Sequence, residues 1–310
     1  MALAGGCRMT AAVEGLTRRW TPDYPLDIGA VVGPLRRGAG DPAFQVGADG
    51  AVWLTGNGAQ GPGSLRLARR DGAVVAQAWG EGAEELLDGV PRLLGAEDEP
   101  EGFEAHHELI RETKRRNPGL RLGKTGRVWD SLVPAILEQK VTGYEARRSW
   151  RDLCRRHGTT APGPAPLGMR VPPTPRAILA VKDWEWHKAG VDGQRRRTLL
   201  NAAAAAHALT SKEKLRLIPG IGVWTTAEVA QRVWGDPDEV SVGDFHIPSV
   251  VGWALVGHAL DDDGMLEVLE PYRPQRQRAV RYIEASGQEN PALRKPRFAP
   301  RFSARDYRAI

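Results

Sequence analysis

The sequence has little cysteine and no pattern that indicates a metal site. Its 310 residues include two cysteines, Cys7 and Cys154. Two thiols cannot supply the four ligands of a structural zinc site or an iron–sulfur cluster, and the histidines show no metal-ligand spacing. Cys7 lies in an N-terminal segment that we expect to be mobile. The sequence therefore predicts a protein with no structural disulfide, no metal and no other cofactor.

Long hydrophobic runs are also missing. No stretch approaches the roughly 18 apolar residues that a membrane span needs. The start, MALAGGCRMTAAVEGL, lacks the sustained apolar core of a secretory signal peptide. The composition is instead that of a globular protein, with 41% hydrophobic and 26% charged residues. We expect a monomer of the cytoplasm with no membrane partner.

The positive charge is concentrated at one end of the chain. The net charge is +5, and residues 291–310 alone hold six basic residues against one acidic residue. The rest of the chain is therefore balanced, and the charge says little about its surface. The basic tail is either a contact for phosphate groups or a solvated end.

Short strand-like runs broken by Gly, Asp and Asn precede a long helical pattern. The sequence thus predicts an α+β protein in four segments. They are a mobile N-terminus (1–18), a β-rich α/β domain with an antiparallel sheet (19–100), a mostly α-helical domain (101–290) and the basic tail (291–310). The proline-rich segment 158–175 is expected to be a long loop inside the helical domain.

A buried helix is predicted where apolar residues recur at three- and four-residue steps from Trp129 to Val141. Asp130 or Ser131 is its expected N-cap, which would put Pro134 in the first turn, where proline is tolerated. The stretch DWEWHKAGVDGQRRR is expected to begin as a loop before a helix at 195–209.

A helical hairpin is predicted around Pro219-Gly220-Ile221-Gly222. Thr210 and Glu213 form a capping box that begins a short helix, and a second helix runs from about Trp224 to Trp234. Glycines permit a tight turn and close backbone approach, and the free N–H groups of the second helix can bind phosphate. An ordinary αα-corner would give the same short pattern.

The combination of LIPGIGVWTTAEV, SVGDFH and the upstream VWDSLVPAILEQKVT resembles the helix-hairpin-helix DNA glycosylases, in particular their AlkA-type 3-methyladenine branch. The resemblance covers most of 103–285 and, loosely, 20–95. It implies that the hairpin, with Thr225, binds double-stranded DNA and that Asp244 is the catalytic acid. A carboxylate there would stabilise positive charge on the deoxyribose. Asp244 can also cap the following helix.

Residue 224 decides the reaction subtype that the resemblance implies. Glycosylases that also nick the strand carry a lysine there, which forms a Schiff base with the sugar. This sequence has Trp224 instead. The expected activity is therefore that of a monofunctional enzyme of base excision repair, which hydrolyses the N-glycosidic bond of a flipped base and leaves an abasic site.

The resemblance also assigns a wedge, the side chain that fills the gap left by the flipped nucleotide, to Gln139 and Lys140. Lys140 is alternatively a plain phosphate contact. Positions that are aromatic in relatives align with Glu228 and, loosely, with Glu284 and Gly33, which implies a base pocket with fewer aromatic rings. The expected pocket residues are Trp224, Glu228, Trp186 and His187. His246 either touches the sugar or phosphate or simply packs in its turn.

Alternatives remain for the substrate and the activity. An alkylated purine is the first choice of base, with hypoxanthine or a bulky adduct behind it. A non-catalytic protein that binds damaged or distorted DNA would use the same hairpin. A glycosylase/lyase could use another lysine, such as Lys140 or Lys188.

Overall fold

The computed structural model describes residues 15–288, which form a sheet region followed by a helical region. The α+β fold class is confirmed. The basic tail 291–310 and most of the N-terminal segment 1–18 lie outside the described residues. Among the helices of residues 15–288, none is both long and apolar enough to cross a membrane.

An antiparallel sheet of five strands lies between residues 16 and 80, in the order β1-β5-β4-β3-β2. β1 begins inside the segment predicted to be mobile, because residues 16–20 pair along β5 and so satisfy their backbone groups. The strands are β1 (Leu16–Trp20), β2 (Phe44–Val46), β3 (Val52–Asn57), β4 (Pro62–Arg70) and β5 (Ala73–Gly80).

One face of the sheet carries a core of alternating apolar side chains, such as Leu65 and Leu67 of β4. They pack against three short helices: α1 (Ile28–Val32), α2 (Ala83–Asp88) and α3 (Val90–Leu93). On the other face Trp53 and Trp79 stack with ring centroids 5.4 Å apart and pack against Met169. The proline-rich segment 158–175 therefore covers the second face of the sheet.

The helical region is built from elements that surround a second core and a third. They are α4 (Glu108–Arg116), α5 (Val128–Leu137), α6 (Gly143–His157), β6 (Thr159–Thr160), β7 (Arg170–Val171), α7 (Pro175–Leu179), α8 (Asp183–Ala189), α9 (Gly193–Ala204), α10 (Lys212–Arg216), α11 (Val223–Val233), α12 (Ile247–Leu255), α13 (Asp262–Leu269) and α14 (Arg276–Ala285).

Helix α5 is buried as predicted, but it begins earlier and ends at Leu137, so Val141 lies outside it. Its first residue is Val128, so Pro134 lies inside the helix rather than in its first turn, and the predicted N-cap is wrong. The side chain of Asp130 instead accepts hydrogen bonds from the Asn57 backbone N–H (3.2 Å) and from Arg127 Nε (3.1 Å). The Asp130 carboxylate therefore joins α5 to the sheet region instead of capping the helix.

Two further local predictions differ from the structure. Ser211, not Thr210, caps α10 by accepting from the backbone N–H of Lys214 at 3.4 Å. The stretch that begins at Asp183 is not a loop but helix α8, closed by Gly190 in the left-handed conformation. Its apolar side packs onto the helical core, which stabilises a helix too short to form alone.

Candidate functional site

The hairpin between α10 and α11 is a tight turn that depends on one of its two glycines. Gly220 has φ +93°, and a Cβ built there would lie 2.1 Å from Thr198 Oγ1 of α9. Glycine is required at this position for both its conformation and its close contact. Gly222 has an extended backbone with open space around it. The two glycines of the predicted GxG pair therefore differ, because only Gly220 is required by the geometry of the turn.

Helix α11 begins at the surface without a side-chain cap. Its N-cap is the exposed Gly222, and Val223, the first helical residue, is also exposed. The first N–H groups of a helix have no acceptor within the helix, and the dipole is positive at this end. The arrangement can bind an anionic group such as a backbone phosphate.

Two residues predicted to contact DNA from the hairpin point into the protein. Thr225 is 2% exposed, and Ile221 packs in the helical core. Gln139 Nε2 donates to Thr225 Oγ1 at 2.8 Å and to the Gly220 carbonyl oxygen at 2.9 Å. Thr225 and Gln139 thus fix the hairpin from behind, while Pro219, Gly220 and Gly222 remain exposed. The Gln139 amide thus binds the hairpin, and its role as a wedge stays a prediction.

Asp244 lies in the loop before α12, and both of its carboxylate oxygens accept hydrogen bonds. Oδ1 accepts from the backbone N–H groups of His246 (2.7 Å) and Ile247 (2.9 Å). Oδ2 accepts from Trp224 Nε1 at 2.9 Å. The predicted helix-capping role of Asp244 is therefore present. The bond from Trp224 joins the carboxylate to the first turn of α11, beside the hairpin.

Helix α11 also holds the loop that carries Asp244 one and two turns further on. Glu228 Oε1 accepts from Ser241 Oγ at 2.7 Å, and Gln231 Nε2 donates to the same hydroxyl oxygen at 2.9 Å. The Ser241 carbonyl oxygen in turn accepts from the Asp244 backbone N–H at 3.1 Å. Ser241 and Gln231 were not predicted from the sequence, since neither residue type at this spacing gives a signal without the fold.

Glu228 is committed to contacts within the protein. While Oε1 binds Ser241, Oε2 forms an ion pair with Arg232 at 2.9 Å, and the side chain is 12% exposed. Both oxygens are therefore occupied, and the residue positions the Asp244 loop rather than offering a free carboxylate to a base. Glu284, the looser match, forms an ion pair with Arg281 on α14.

The other two predicted pocket residues, Trp186 and His187, lie on helix α8. Trp186 is 1% exposed and packs in the core of the helical region, which corrects its assignment to a pocket mouth. Its large ring is buried because α8 is a helix with one apolar side, and not a loop. His187 lies on the exposed side of α8.

An aromatic side chain that the sequence analysis left out lies next to Asp244. Phe245 is 90% exposed, and its ring centroid lies 5.0 Å from that of the exposed His246. A large exposed aromatic ring is a common contact for bases or sugars. The sequence feature that could have identified Phe245 is its position directly after Asp244.

The site thus combines an uncapped helix start, a fixed carboxylate and exposed aromatic surface. The helix start can hold a phosphate, and the carboxylate can stabilise positive charge that develops a short distance away. These are the parts needed for chemistry on a sugar attached to a phosphate backbone.

Comparison with known proteins gives a weak sequence match. No protein-family model matches the chain. A thymine-DNA glycosylase from Aeropyrum pernix is 27% identical over 120 residues, which cover 36% of this chain and 47% of that protein. The chain thus matches about half of the length of this curated relative.

Solved structures give a much broader match in fold. The 3-methyladenine DNA glycosylase from Archaeoglobus fulgidus aligns with a TM-score of 0.69 and 16% identity over 87% of this chain and 98% of that one. The 8-oxoguanine glycosylase/lyase of Clostridium acetobutylicum in its apo form aligns with a TM-score of 0.65 and 10% identity, over 85% and 93% of the two chains. At these identities the likeness concerns the fold. The chain therefore has the fold of the helix-hairpin-helix DNA glycosylases.

Proposed function

We propose that this protein is a monofunctional DNA glycosylase of base excision repair that acts as a monomer, without a metal, on double-stranded DNA. The observation that carries the proposal is the hydrogen bond from Trp224 to Asp244 Oδ2, next to the uncapped start of α11. It supports the proposal because the carboxylate that it fixes lies beside a helix start that could bind the phosphate of the same nucleotide, and because the side chain at position 224 is an indole and not an amine.

The reaction follows from these groups. The bond between the sugar C1′ and the base nitrogen breaks, and its electron pair leaves with the base. Positive charge then develops on the deoxyribose ring, and the Asp244 carboxylate stabilises it. Water adds its oxygen to C1′ and releases a proton. That proton goes to solvent when a cationic alkylated base leaves in its neutral form, and to the base when a neutral base leaves as an anion. The products are a free base and an abasic site.

For the substrate we propose an alkylated purine, with hypoxanthine or a bulky adduct as further candidates. The likeness in fold to a 3-methyladenine glycosylase supports the first choice. Thymine opposite guanine joins the substrates to be tested because the curated relative is named a thymine-DNA glycosylase. The exposed ring of Phe245 offers a stacking surface to any of these bases.

The indole N–H of Trp224 is expected to matter more than its ring. In Trp224→Phe the ring stays, but the donor to Asp244 Oδ2 is lost. A hydrogen bond to a charged group contributes about 1.5–3 kcal/mol, so the single-turnover rate of base release should fall by about tenfold or more.

Trp234→Phe is the matched control, because Trp234 lies at the opposite end of the same helix. It should leave the rate nearly unchanged. Equal rates for Trp224→Phe and the wild type would show that the bond to Asp244 has no part in base release.

The function is tested with duplexes that each carry one lesion: an alkylated purine, hypoxanthine, uracil, thymine opposite guanine, or a bulky purine adduct. After incubation, half of each sample is treated with hot alkali, which cleaves abasic sites. We expect strand breaks only after alkali and only with the substrate base. Borohydride treatment should trap no covalent enzyme–DNA adduct, because Trp224 offers no amine.

The alternatives predict different results. Strand breaks before alkali together with a borohydride-trapped adduct would indicate a lyase that uses another lysine. Tight binding to lesion DNA without release of any base would indicate a protein that recognises damage or distortion without catalysis.

A further inference from the structure

The turn between α5 and α6, residues 138–142 and here called the wedge turn, has an unusual backbone at its apex. Lys140 is exposed and has φ +53°, in the left-handed region. Lysine rarely adopts this conformation, which persists only where surrounding structure imposes it. The contacts that impose it therefore also fix the direction in which the Cα–Cβ bond of Lys140 leaves the backbone.

Contacts with three other parts of the chain hold the wedge turn and the end of α5. Arg195 of α9, 2% exposed, donates from Nη1 to the Leu137 carbonyl oxygen at 2.8 Å. Gln139 Nε2 binds the hairpin at the Gly220 carbonyl oxygen. Arg37 Nη1 donates to both carboxylate oxygens of Glu138, at 3.0 and 3.2 Å. The first two contacts come from the helical region, whereas the third comes from the sheet region.

Arg37 is itself rigidly placed, in the loop 36–41 that follows α1. Its backbone N–H donates to Asp41 Oδ2 at 2.6 Å, and Asp41 Oδ1 accepts from Trp150 Nε1 of α6 at 2.9 Å. The Arg37 side chain is 9% exposed. Burial and the charge of Arg232 lower the pKa of Arg37, while Glu138 raises it. Arginine stays protonated in proteins even when its pKa is lowered, so Arg37 and Glu138 form an ion pair.

We propose that Arg37 is a positioning residue for the wedge: the sheet region, through the Arg37–Glu138 ion pair, holds Lys140 in the conformation that inserts into DNA. This inference rests on the proposed function and deepens it. It gives the sheet region a role in opening the duplex through a side chain that is almost fully buried.

The physical reason is the geometry of the wedge turn. Glu138 is the C-cap of α5 and lies two residues before Lys140. When its partner is lost, the carboxylate gains hydration by moving outward, and the strained backbone at Lys140 can relax. A displacement of about 1 Å at a functional group can lower a rate a hundredfold.

The test compares Arg37→Met, Glu138→Gln and Lys140→Ala with the wild type on the substrate lesion, either paired or in an unpaired loop. An unpaired base needs little help to leave the duplex. Arg37→Met should slow base release about tenfold or more from the paired lesion and much less from the unpaired one. Glu138→Gln should act in the same direction more weakly. In the Lys140→Ala background, Arg37→Met should add no further loss.

A second readout does not require base release. A fluorescent base analogue that brightens on unstacking, placed next to the lesion, should brighten with saturating wild type and much less with Arg37→Met. Wild type that brightens the analogue but releases no base would disprove the proposed function and leave the wedge inference standing. No brightening with wild type would overturn the inference itself.

The matched control is Arg151→Met. Arg151 Nη1 donates to the Ala39 carbonyl oxygen at 3.3 Å, so it contacts the same loop 36–41 but not the wedge turn. It should leave the ratio of the two rates unchanged. Equal slowing of paired and unpaired substrates by Arg37→Met, or no slowing at all, would overturn the inference, since a merely structural role lowers both rates together.

Discussion

Asp244→Asn is expected to lower the single-turnover rate of base release by about 100-fold or more. The loss of a preorganised charge at a developing cation has an effect of this size. Asparagine keeps a side-chain oxygen that can accept from the His246 and Ile247 N–H groups, so the start of α12 should survive. The rate is measured with enzyme in excess over a lesion duplex, while a melting curve checks the fold.

Two further variants separate the effect of the Asp244 charge on the rate from its effect on the local structure. Asp244→Ala removes the helix-capping acceptor as well and should lower stability by about 1 kcal/mol. Asp262→Asn is the matched control, because Asp262 Oδ1 accepts from the Gly243 N–H at 2.9 Å and so contacts the same loop. It should keep nearly full activity. If Asp244→Asn retained the wild-type rate, Asp244 would be a helix cap and nothing more.

Asp98→Ala is expected to lower the free energy of unfolding by about 3–5 kcal/mol, because it leaves a buried arginine without its partner. Asp98 binds Arg278 of α14 through both oxygens, at 2.6 and 3.0 Å, and their side chains are 4% and 1% exposed. Asp98 Oδ2 also accepts from the Leu122 N–H at 3.0 Å. Urea denaturation measures the change.

The control for Asp98 is an ion pair of the same charges at the surface. Glu108 pairs with Arg111 one turn away on α4, and both side chains are exposed. Glu108→Ala should not change the unfolding midpoint measurably, because exposed pairs contribute little. The double variant Asp98→Ala, Arg278→Met should recover part of the lost stability. A small effect of Asp98→Ala alone would mean that water reaches Arg278.

The difference between these residues shows how far the sequence reaches. Asp244 stands out in the sequence because the glycine hairpin is followed, at a suitable distance, by the loop SVGDFH. This order of motifs carries the resemblance to the helix-hairpin-helix DNA glycosylases. Asp98 lies in an acidic stretch, AEDEPEG, whose composition indicates an exposed linker. Its burial depends on Arg278, which is 180 residues further along the chain.

The same contrast holds for the secondary structure. Helix α11 runs from Val223 to Val233, within one residue of the prediction, because its limits are set locally by the hairpin and by Gly235 at φ +60°. Helix α8 escaped prediction because seven residues hold no clear period, and its stability comes from burying Trp186 in the core.

What the sequence alone determined is the α+β class and a few local features, namely the buried face of α5 and the hairpin with its glycines. The roles of Asp244 and Trp224 stay predictions. Only the tertiary structure decided which polar side chains are free. It used Glu228, Gln139 and Thr225 to fix the hairpin and the Asp244 loop. The physical reason is that a buried polar group must find a partner, and the partner lies on another element that no local pattern specifies.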